Sequence, residues 1–143
     1  NASTSLVLAV LLAALALAHA KIDWEESEKK FNICKEETKA DETFEETVKK
    51  EKIPTSDKGM CLVECMLRSK GIYDQDSKYN PEGTKAYFSK VFSHLPENIE
   101  KSLAIVEECS KIDIEGLDKC EAAVKHLTCT KAKAAQQNLN LKD

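Results

Sequence analysis

Six cysteines constrain the fold of this chain more than any other feature of its sequence. They are Cys34, Cys61, Cys65, Cys109, Cys120 and Cys129. The intervals between them contain 26, 3, 43, 10 and 8 residues. An even number of cysteines in a short chain with a secretory leader is typical of a disulfide framework rather than of free thiols. The cysteines therefore predict a small domain that is held together by three disulfide bonds.

The first twenty residues predict a cleaved secretory signal peptide. Leu6 to Ala18 is an unbroken run of 13 apolar residues, and Ala18-His19-Ala20 has the A-x-A pattern of a cleavage site. This run is shorter than the roughly 20 apolar residues that a transmembrane helix needs. We therefore expect residues 21–143 to form one secreted, extracellular domain that has no stable membrane insertion.

Composition and motifs exclude several classes of function. The formal net charge of −4 argues against nucleic acid as a partner, because phosphates require a basic surface. No catalytic motif is present, and paired cysteines would leave no thiol nucleophile. The segment Asp74–Tyr79 matches the first positions of a calcium-loop pattern, but Lys78 occupies a position that should carry a calcium ligand. We therefore expect no enzyme activity, no cofactor and no metal.

Hydrophobic periodicity predicts an all-α domain of six helices. Apolar residues recur at three- and four-residue spacing, and no segment alternates as a strand would. We expect the first two helices to be capped by Asp23 and Asp41, and the third to start at Ser56 or Asp57. We expect the fourth to be capped by Asn80, the fifth to begin at Glu97 or Asn98, and the sixth to follow Gly116. We expect them to end before Pro54, near Gly71, at Pro96, at Gly116 and around Cys129 to Lys131.

Helical geometry removes some of the possible cysteine pairings. Cys61 and Cys65 are four residues apart and point to one side of a single helix, so each should bond to another helix. Cys120 and Cys129 are nine residues apart and face opposite ways on the last helix. Excluding both pairs reduces the fifteen possible pairings to ten, and the spacing does not choose among them.

The complete cysteine pattern resembles that of the insect odorant-binding protein family in its six-cysteine form, the pheromone- and general-odorant-binding type. The pattern consists of a long first gap, Cys61-x3-Cys65, a second long gap, about ten residues, and Cys120-x8-Cys129. Further similarity lies in Cys61-Leu-Val-Glu-Cys65-Met-Leu, in Gly71-Ile-Tyr-Asp74 and in Cys120-Glu-Ala-Ala123. The resemblance extends over nearly all of residues 21–143.

The resemblance implies a six-helix fold around an apolar cavity, with the pairing Cys34–Cys65, Cys61–Cys120 and Cys109–Cys129. It also implies a secreted carrier of small hydrophobic ligands such as odorants or pheromones. A chemosensory receptor would be a further partner, and the carrier would be a monomer or a homodimer. The alternative is a secreted interaction protein on the same scaffold, acting in saliva, venom or reproductive fluid. A core without a cavity would favour that alternative.

Apolar side chains on the predicted helix faces are candidates for lining the ligand pocket. In any helical domain such residues would form the core, and the family resemblance implies that part of them contacts ligand. Tyr73 and Tyr87 could present a hydroxyl group to a polar head of the ligand. The candidate set is Met66, Tyr73, Tyr87, Phe88, Val91, Phe92, Leu103, Val106, Leu117, Val124 and Leu127.

Two further features give hypotheses about ligand release. His94 and His126 could form a pH switch, because histidine titrates near neutrality, although exposed histidines without a role are more common. The polar tail, residues 132–143, carries Leu139 and Leu141 as its only large apolar side chains. We hypothesise that this tail folds over the mouth of the pocket and that one of the two leucines enters it.

Overall fold

The computed structural model describes residues 24–141, which form six helices and no strand. These are α1 (24–38), a short π-helical turn (Glu45–Lys49), α2 (Asp57–Ser69), α3 (Pro81–Val91), α4 (Pro96–Ser110) and α5 (Lys119–Gln136). The prediction of a six-helix, all-α single domain is confirmed. The predicted signal peptide, residues 1–20, and the proposed cap Asp23 lie outside the described residues.

Three helices begin at side chains that satisfy the free amide groups of their first turns. The Ser56 side chain accepts a hydrogen bond from the Gly59 amide, and the Asn80 side chain accepts one from Gly83. Pro81 occupies the first turn of α3, where its missing amide proton costs nothing. Asp118 and Glu121 form a reciprocal capping box at the start of α5. The predicted starts of α2 and α3 are therefore correct.

Other predicted boundaries are wrong. Pro96 does not end α3, which already ends at Val91; it instead starts α4, where a proline fits the first turn. The helix α5 begins at Lys119, after the Asp118 cap, and it continues to Gln136. It therefore starts two residues after Leu117 and extends well beyond the expected end near residue 131.

The second predicted helix is a π-helical turn whose start is not capped by Asp41. Its closing bond runs from the Lys50 amide to the Glu45 carbonyl over 2.9 Å. The hydroxyl of Thr43 accepts a hydrogen bond from the Glu46 amide at 3.2 Å. The turn leads into residues 51–54, an irregular linker before α2 in which Glu51 has a positive φ of 56°.

The disulfide bonds join four of the helices. Cys34–Cys65 links α1 to α2, Cys61–Cys120 links α2 to α5, and Cys109–Cys129 links α4 to α5. This pairing is the one that the family resemblance implied. The two cysteines of α5 reach different neighbours, as their opposite orientation on the helix predicted.

The buried apolar residues form two clusters. The larger one lies between α2, α3, α4 and α5 and includes Val63, Phe88, Ile105 and Ala123. The smaller one joins α1 to α2 around Phe31, Leu62 and the Cys34–Cys65 disulfide. Within residues 24–141, no helix is both long enough and apolar enough to cross a membrane.

Candidate functional site

An apolar cavity lies beside the linker that follows the π-helical turn. We call it the linker cavity; its volume is about 130 Å³. Its walls come from the π-helical turn, the linker, α2, α5 and the tail. They are lined by Thr47, Val48, Glu51, Lys52, Ile53, Pro54, Val63, Met66, Leu67, Lys70, Leu127, Lys131 and Leu141.

A second apolar cavity lies next to the first and contains all three tyrosines of the chain. We call it the tyrosine cavity; its volume is about 100 Å³. It is enclosed by the loop after α2 and by α3, α4 and α5. Its lining consists of Leu67, Lys70, Ile72, Tyr73, Tyr79, Tyr87, Phe88, Val106, Ser110, His126, Leu127, Thr130 and Leu141.

The two cavities share a wall. Leu67, Lys70, Leu127 and Leu141 line both of them. Leu141 belongs to the tail, and the amide of the nearby Leu139 donates a hydrogen bond to the Ala134 carbonyl at 2.9 Å. Leu139 is buried in the main core cluster. The turn after α5 therefore brings Leu141 back onto the helices, at the boundary between the two spaces.

Six of the eleven residues proposed from the sequence lie at these cavities. Tyr73, Tyr87, Phe88 and Val106 line the tyrosine cavity. Met66 lines the linker cavity, and Leu127 lines both. Their helical spacing identified apolar faces, and the packing of α2, α3, α4 and α5 brings those faces together.

The remaining five candidates lie elsewhere. Phe92, Leu103 and Val124 pack in or against the main core cluster and line neither cavity. Val91 lines a separate small pocket between α3 and residues 26–30. Leu117 is not a pocket residue: it precedes the Asp118 cap, and 38% of its surface is exposed. The sequence placed Leu117 on a helix face, but the capping box makes it part of a loop.

Several lining residues were missed because they lie outside regular helices. Ile53 and Pro54 belong to the linker, and Ile72 and Tyr79 belong to the loop after α2. Helical periodicity carries no information about such segments. The aromatic and apolar residues of the loop Gly71 to Tyr79, which are unusual in a polar loop, were the signal that could have identified it.

The loop that carries Tyr73 is fixed by backbone geometry. Gly71 adopts a positive φ of 78° at the end of α2, a conformation in which glycine carries no steric penalty. A Cβ atom on Gly83 would lie 2.0 Å from the Gly71 carbonyl oxygen, so α3 can pack closely only because residue 83 is glycine. Tyr73 and Tyr79 then pair as an isolated antiparallel bridge. Both rings consequently line the tyrosine cavity.

A buried ion pair on α2 anchors the same loop. Glu64 of α2 is only 2% exposed, and its carboxylate accepts a hydrogen bond from Arg68 Nε at 2.6 Å. The Ser77 hydroxyl in the loop donates to the same carboxylate. Burial raises the pKa of Glu64, but the hydrogen bonds from Arg68 and Ser77 outweigh this effect and lower it overall. Glu64 is therefore held as a carboxylate that anchors the loop.

The polar centre of the tyrosine cavity is a hydrogen bond between Tyr73 and His126. The Tyr73 hydroxyl lies 2.5 Å from His126 Nδ1, and the rings meet edge to face. Burial, followed by the charge of Lys125, lowers the pKa of His126, and burial raises the pKa of Tyr73. Both groups are therefore neutral at neutral pH. His94, the other candidate for a pH switch, is exposed in the turn before α4.

Comparisons with known proteins place this chain beside odorant-binding proteins in sequence. The profile of the PBP/GOBP family matches residues 18–133. General odorant-binding protein 19d of Drosophila melanogaster is 25% identical over 128 residues, which cover 90% of this chain and 85% of that protein. General odorant-binding protein 28a of the same species is 30% identical over 99 residues, covering 69% of this chain and 68% of that protein.

A solved structure gives the same result for the fold. The odorant-binding protein dmelOBP28a from Drosophila melanogaster superimposes with a TM-score of 0.68 and is 23% identical. The superposition covers 84% of this chain and 98% of that protein. With the family profile matching more than half of its length, the chain belongs to the PBP/GOBP family, whose members are odorant-binding carriers and not enzymes.

Proposed function

We propose that this protein carries small hydrophobic molecules in the tyrosine and linker cavities. The observation that supports this proposal best is the meeting of two apolar cavities at Leu67, Leu127 and Leu141. A secreted interaction protein on the same scaffold would be expected to have a filled core. Family membership and the cavities together favour the carrier.

The driving force for binding is the burial of apolar ligand surface, worth about 25 cal/mol per Å² before the costs of ordering. Ligand pockets typically measure roughly 300–1,000 Å³. The linker and tyrosine cavities, at about 130 and 100 Å³, are each smaller than this. We infer that Leu141 moves aside when a long ligand binds, so that the two cavities join into one pocket.

We propose that the protein works outside the cell. The predicted leader, residues 1–20, and the three disulfide bonds suit a protein that works in an oxidising extracellular fluid. We propose odorants or pheromones as the ligands and a chemosensory receptor as the recipient. The carrier would work as a monomer or a homodimer.

Displacement of a fluorescent apolar probe tests the carrier function. We expect the oxidised protein to bind N-phenyl-1-naphthylamine saturably, with a Kd on the order of micromolar, because a small ligand buries limited surface. Aldehydes and ketones of about ten carbons should displace the probe. Binding that does not saturate, with the native disulfides verified by mass spectrometry, would contradict the proposal.

Shortening Leu141 should change the preference for ligand length. We expect Leu141→Ala to raise the affinity for a 16-carbon ligand about fivefold relative to an 8-carbon one, because a long ligand no longer has to displace the leucine from partly buried surface. Paired displacement titrations measure this ratio. The matched control is Leu117→Ala, which shortens an exposed leucine outside both cavities. An unchanged ratio in Leu141→Ala would show that the tail does not separate the cavities.

A further inference from the structure

His126 has a ring nitrogen that the fold leaves without a partner. Its Nδ1 atom is hydrogen-bonded to the Tyr73 hydroxyl, whereas Nε2 is buried and has no hydrogen-bond partner among residues 24–141. His126 lines the tyrosine cavity, whose other walls are mainly apolar. Buried polar groups almost always have a partner, so an orphaned one at a cavity calls for an explanation.

We propose that His126 Nε2–H donates a hydrogen bond to an oxygen atom of the carried ligand. The ligand class would be apolar chains with one accepting oxygen near an end, such as ketones, aldehydes or esters. This inference rests on the proposed carrier function and adds the chemical feature that the cavity recognises. Tyr73 is a positioning residue, because it acts on the ligand only through His126.

The number of unpaired donors and acceptors on Tyr73 and His126 indicates which imidazole nitrogen carries the proton. If the Tyr73 hydroxyl donates to Nδ1, the imidazole proton lies on Nε2, and that N–H is the single unsatisfied donor of the pair. In the opposite arrangement the Tyr73 proton and the bare Nε2 would both lack partners. A neutral imidazole is also a better acceptor than a phenol. The first arrangement leaves fewer orphaned groups, so we assign the proton to Nε2, which makes this atom a donor without a partner.

Two other polar side chains of the same cavity, Ser110 and Tyr87, already have partners. The Ser110 hydroxyl donates to the Glu107 carbonyl of its own helix at 2.6 Å. The Tyr87 hydroxyl accepts a hydrogen bond from Lys70 Nζ at 3.1 Å, and the ammonium group also lies over the Tyr87 ring. Lys70 is a competing donor with a positive charge, since its side chain lines both cavities.

Two ligands of similar shape, one with and one without the oxygen atom, separate hydrogen bonding from packing. In 2-methyl-1-undecene a CH₂ group replaces the carbonyl oxygen of 2-undecanone, and the depletion of either volatile from the headspace gives its Kd. We expect His126→Phe to weaken the ketone about tenfold and the alkene by less than about twofold. Tyr73→Phe should weaken the ketone about threefold, because Nε2 is then protonated in only part of the molecules. Lys70→Met should affect both ligands equally.

Two outcomes of these titrations would overturn the proposal. One is an equal loss of ketone and alkene in His126→Phe, which would mean that the ring acts only by its shape. The other is a ketone-specific loss in Lys70→Met that His126→Phe does not show. If the native protein bound neither ligand, the proposed carrier function itself would fail. Equal losses of affinity for both ligands in His126→Phe would refute only the role of His126.

A measurement on the native protein does not depend on the folding of a variant. Long-range ¹H–¹⁵N correlation spectra of histidine rings distinguish the Nε2–H tautomer from the Nδ1–H tautomer. We expect His126 to be the Nε2–H form, and we expect its Nε2 signal to shift on addition of 2-undecanone but not of 2-methyl-1-undecene. An Nδ1–H tautomer, or an equal response to both ligands, would overturn the proposal.

Discussion

Replacing Cys61 and Cys120 together with alanine is expected to lower the free energy of unfolding by about 4 kcal/mol. The two residues are 59 positions apart, and the chain-entropy model gives a larger stabilisation for a longer closed loop. The bond also joins α2 to α5, the two helices that contribute the shared wall of the cavities. The affinity for ligand should therefore fall in this variant together with its free energy of unfolding.

Denaturant unfolding of the oxidised variants measures this loss. The matched control is Cys109→Ala/Cys129→Ala, whose loop spans 20 positions and whose expected loss is about 3 kcal/mol. The thiol-free variants avoid exchange between disulfides during the experiment. A loss below about 1 kcal/mol for the Cys61–Cys120 bond would contradict the structural role given to it here.

Removing the positive partner of Glu64 is expected to have the second largest effect. Arg68→Met leaves the Glu64 carboxylate buried without its ion pair, and breaking a buried pair in this way costs about 3 kcal/mol. Arg68 also bonds to Glu37 at 2.8 Å, but Glu37 is half exposed and loses little. The loop that holds Tyr73 should loosen as well, because Ser77 is bonded to the same carboxylate.

The pH dependence of this loss follows from the lowered pKa of Glu64. A carboxyl group whose folded pKa lies below its ordinary value of 4.5 stabilises the fold above that pH, and this contribution disappears as the pH falls through the folded pKa. In Arg68→Met the Glu64 pKa should rise instead. The difference in unfolding free energy between native protein and variant should therefore be largest at pH 7. It should shrink as the pH falls from the raised Glu64 pKa of the variant to the lowered Glu64 pKa of the native protein.

The double variant Glu64→Gln/Arg68→Met supplies the control. It removes the buried charge together with its partner, so it should recover more than half of the stability that Arg68→Met loses. Urea unfolding at pH 7 and at about pH 4 measures all three proteins. A deficit of Arg68→Met that does not change with pH would show that Glu64 is not ionised in the folded state.

The sequence predicted those parts of the fold that local chemistry determines. Ser56 and Asn80 are good caps because their side-chain oxygens reach amides of the first turn, and both cap their helices. Pro96 was misread because a proline is compatible with both the end of one helix and the first turn of the next. Its role depended on α3 ending earlier, at Val91, which the sequence pattern did not indicate.

The composition of the site was less predictable because it depends on contacts between distant segments. Phe88 and Val106 lie on regular helix faces, and helical spacing identified them. Ile53 reaches the linker cavity only because the π-helical turn and its linker lie along α2 and α5. Leu141 was proposed as a pocket residue only because it is a large apolar side chain in a polar tail. Its position at the shared wall depends on the turn after α5. His126 was identified as titratable, but its bond to Tyr73 spans 53 residues.

The most direct test of ligand binding in the two cavities is to locate a bound ligand by nuclear Overhauser effects between ligand protons and assigned methyl groups. A ligand in the joined cavities should show effects to the methyl groups of Leu67 and Leu127, which line both spaces. The exposed methyl groups of Ile33 and Ile114 are the internal reference for surface association. Effects confined to Leu67, Leu127 and their neighbours would support the carrier. Effects at Ile33 or Ile114, with none at the cavity leucines, would contradict it.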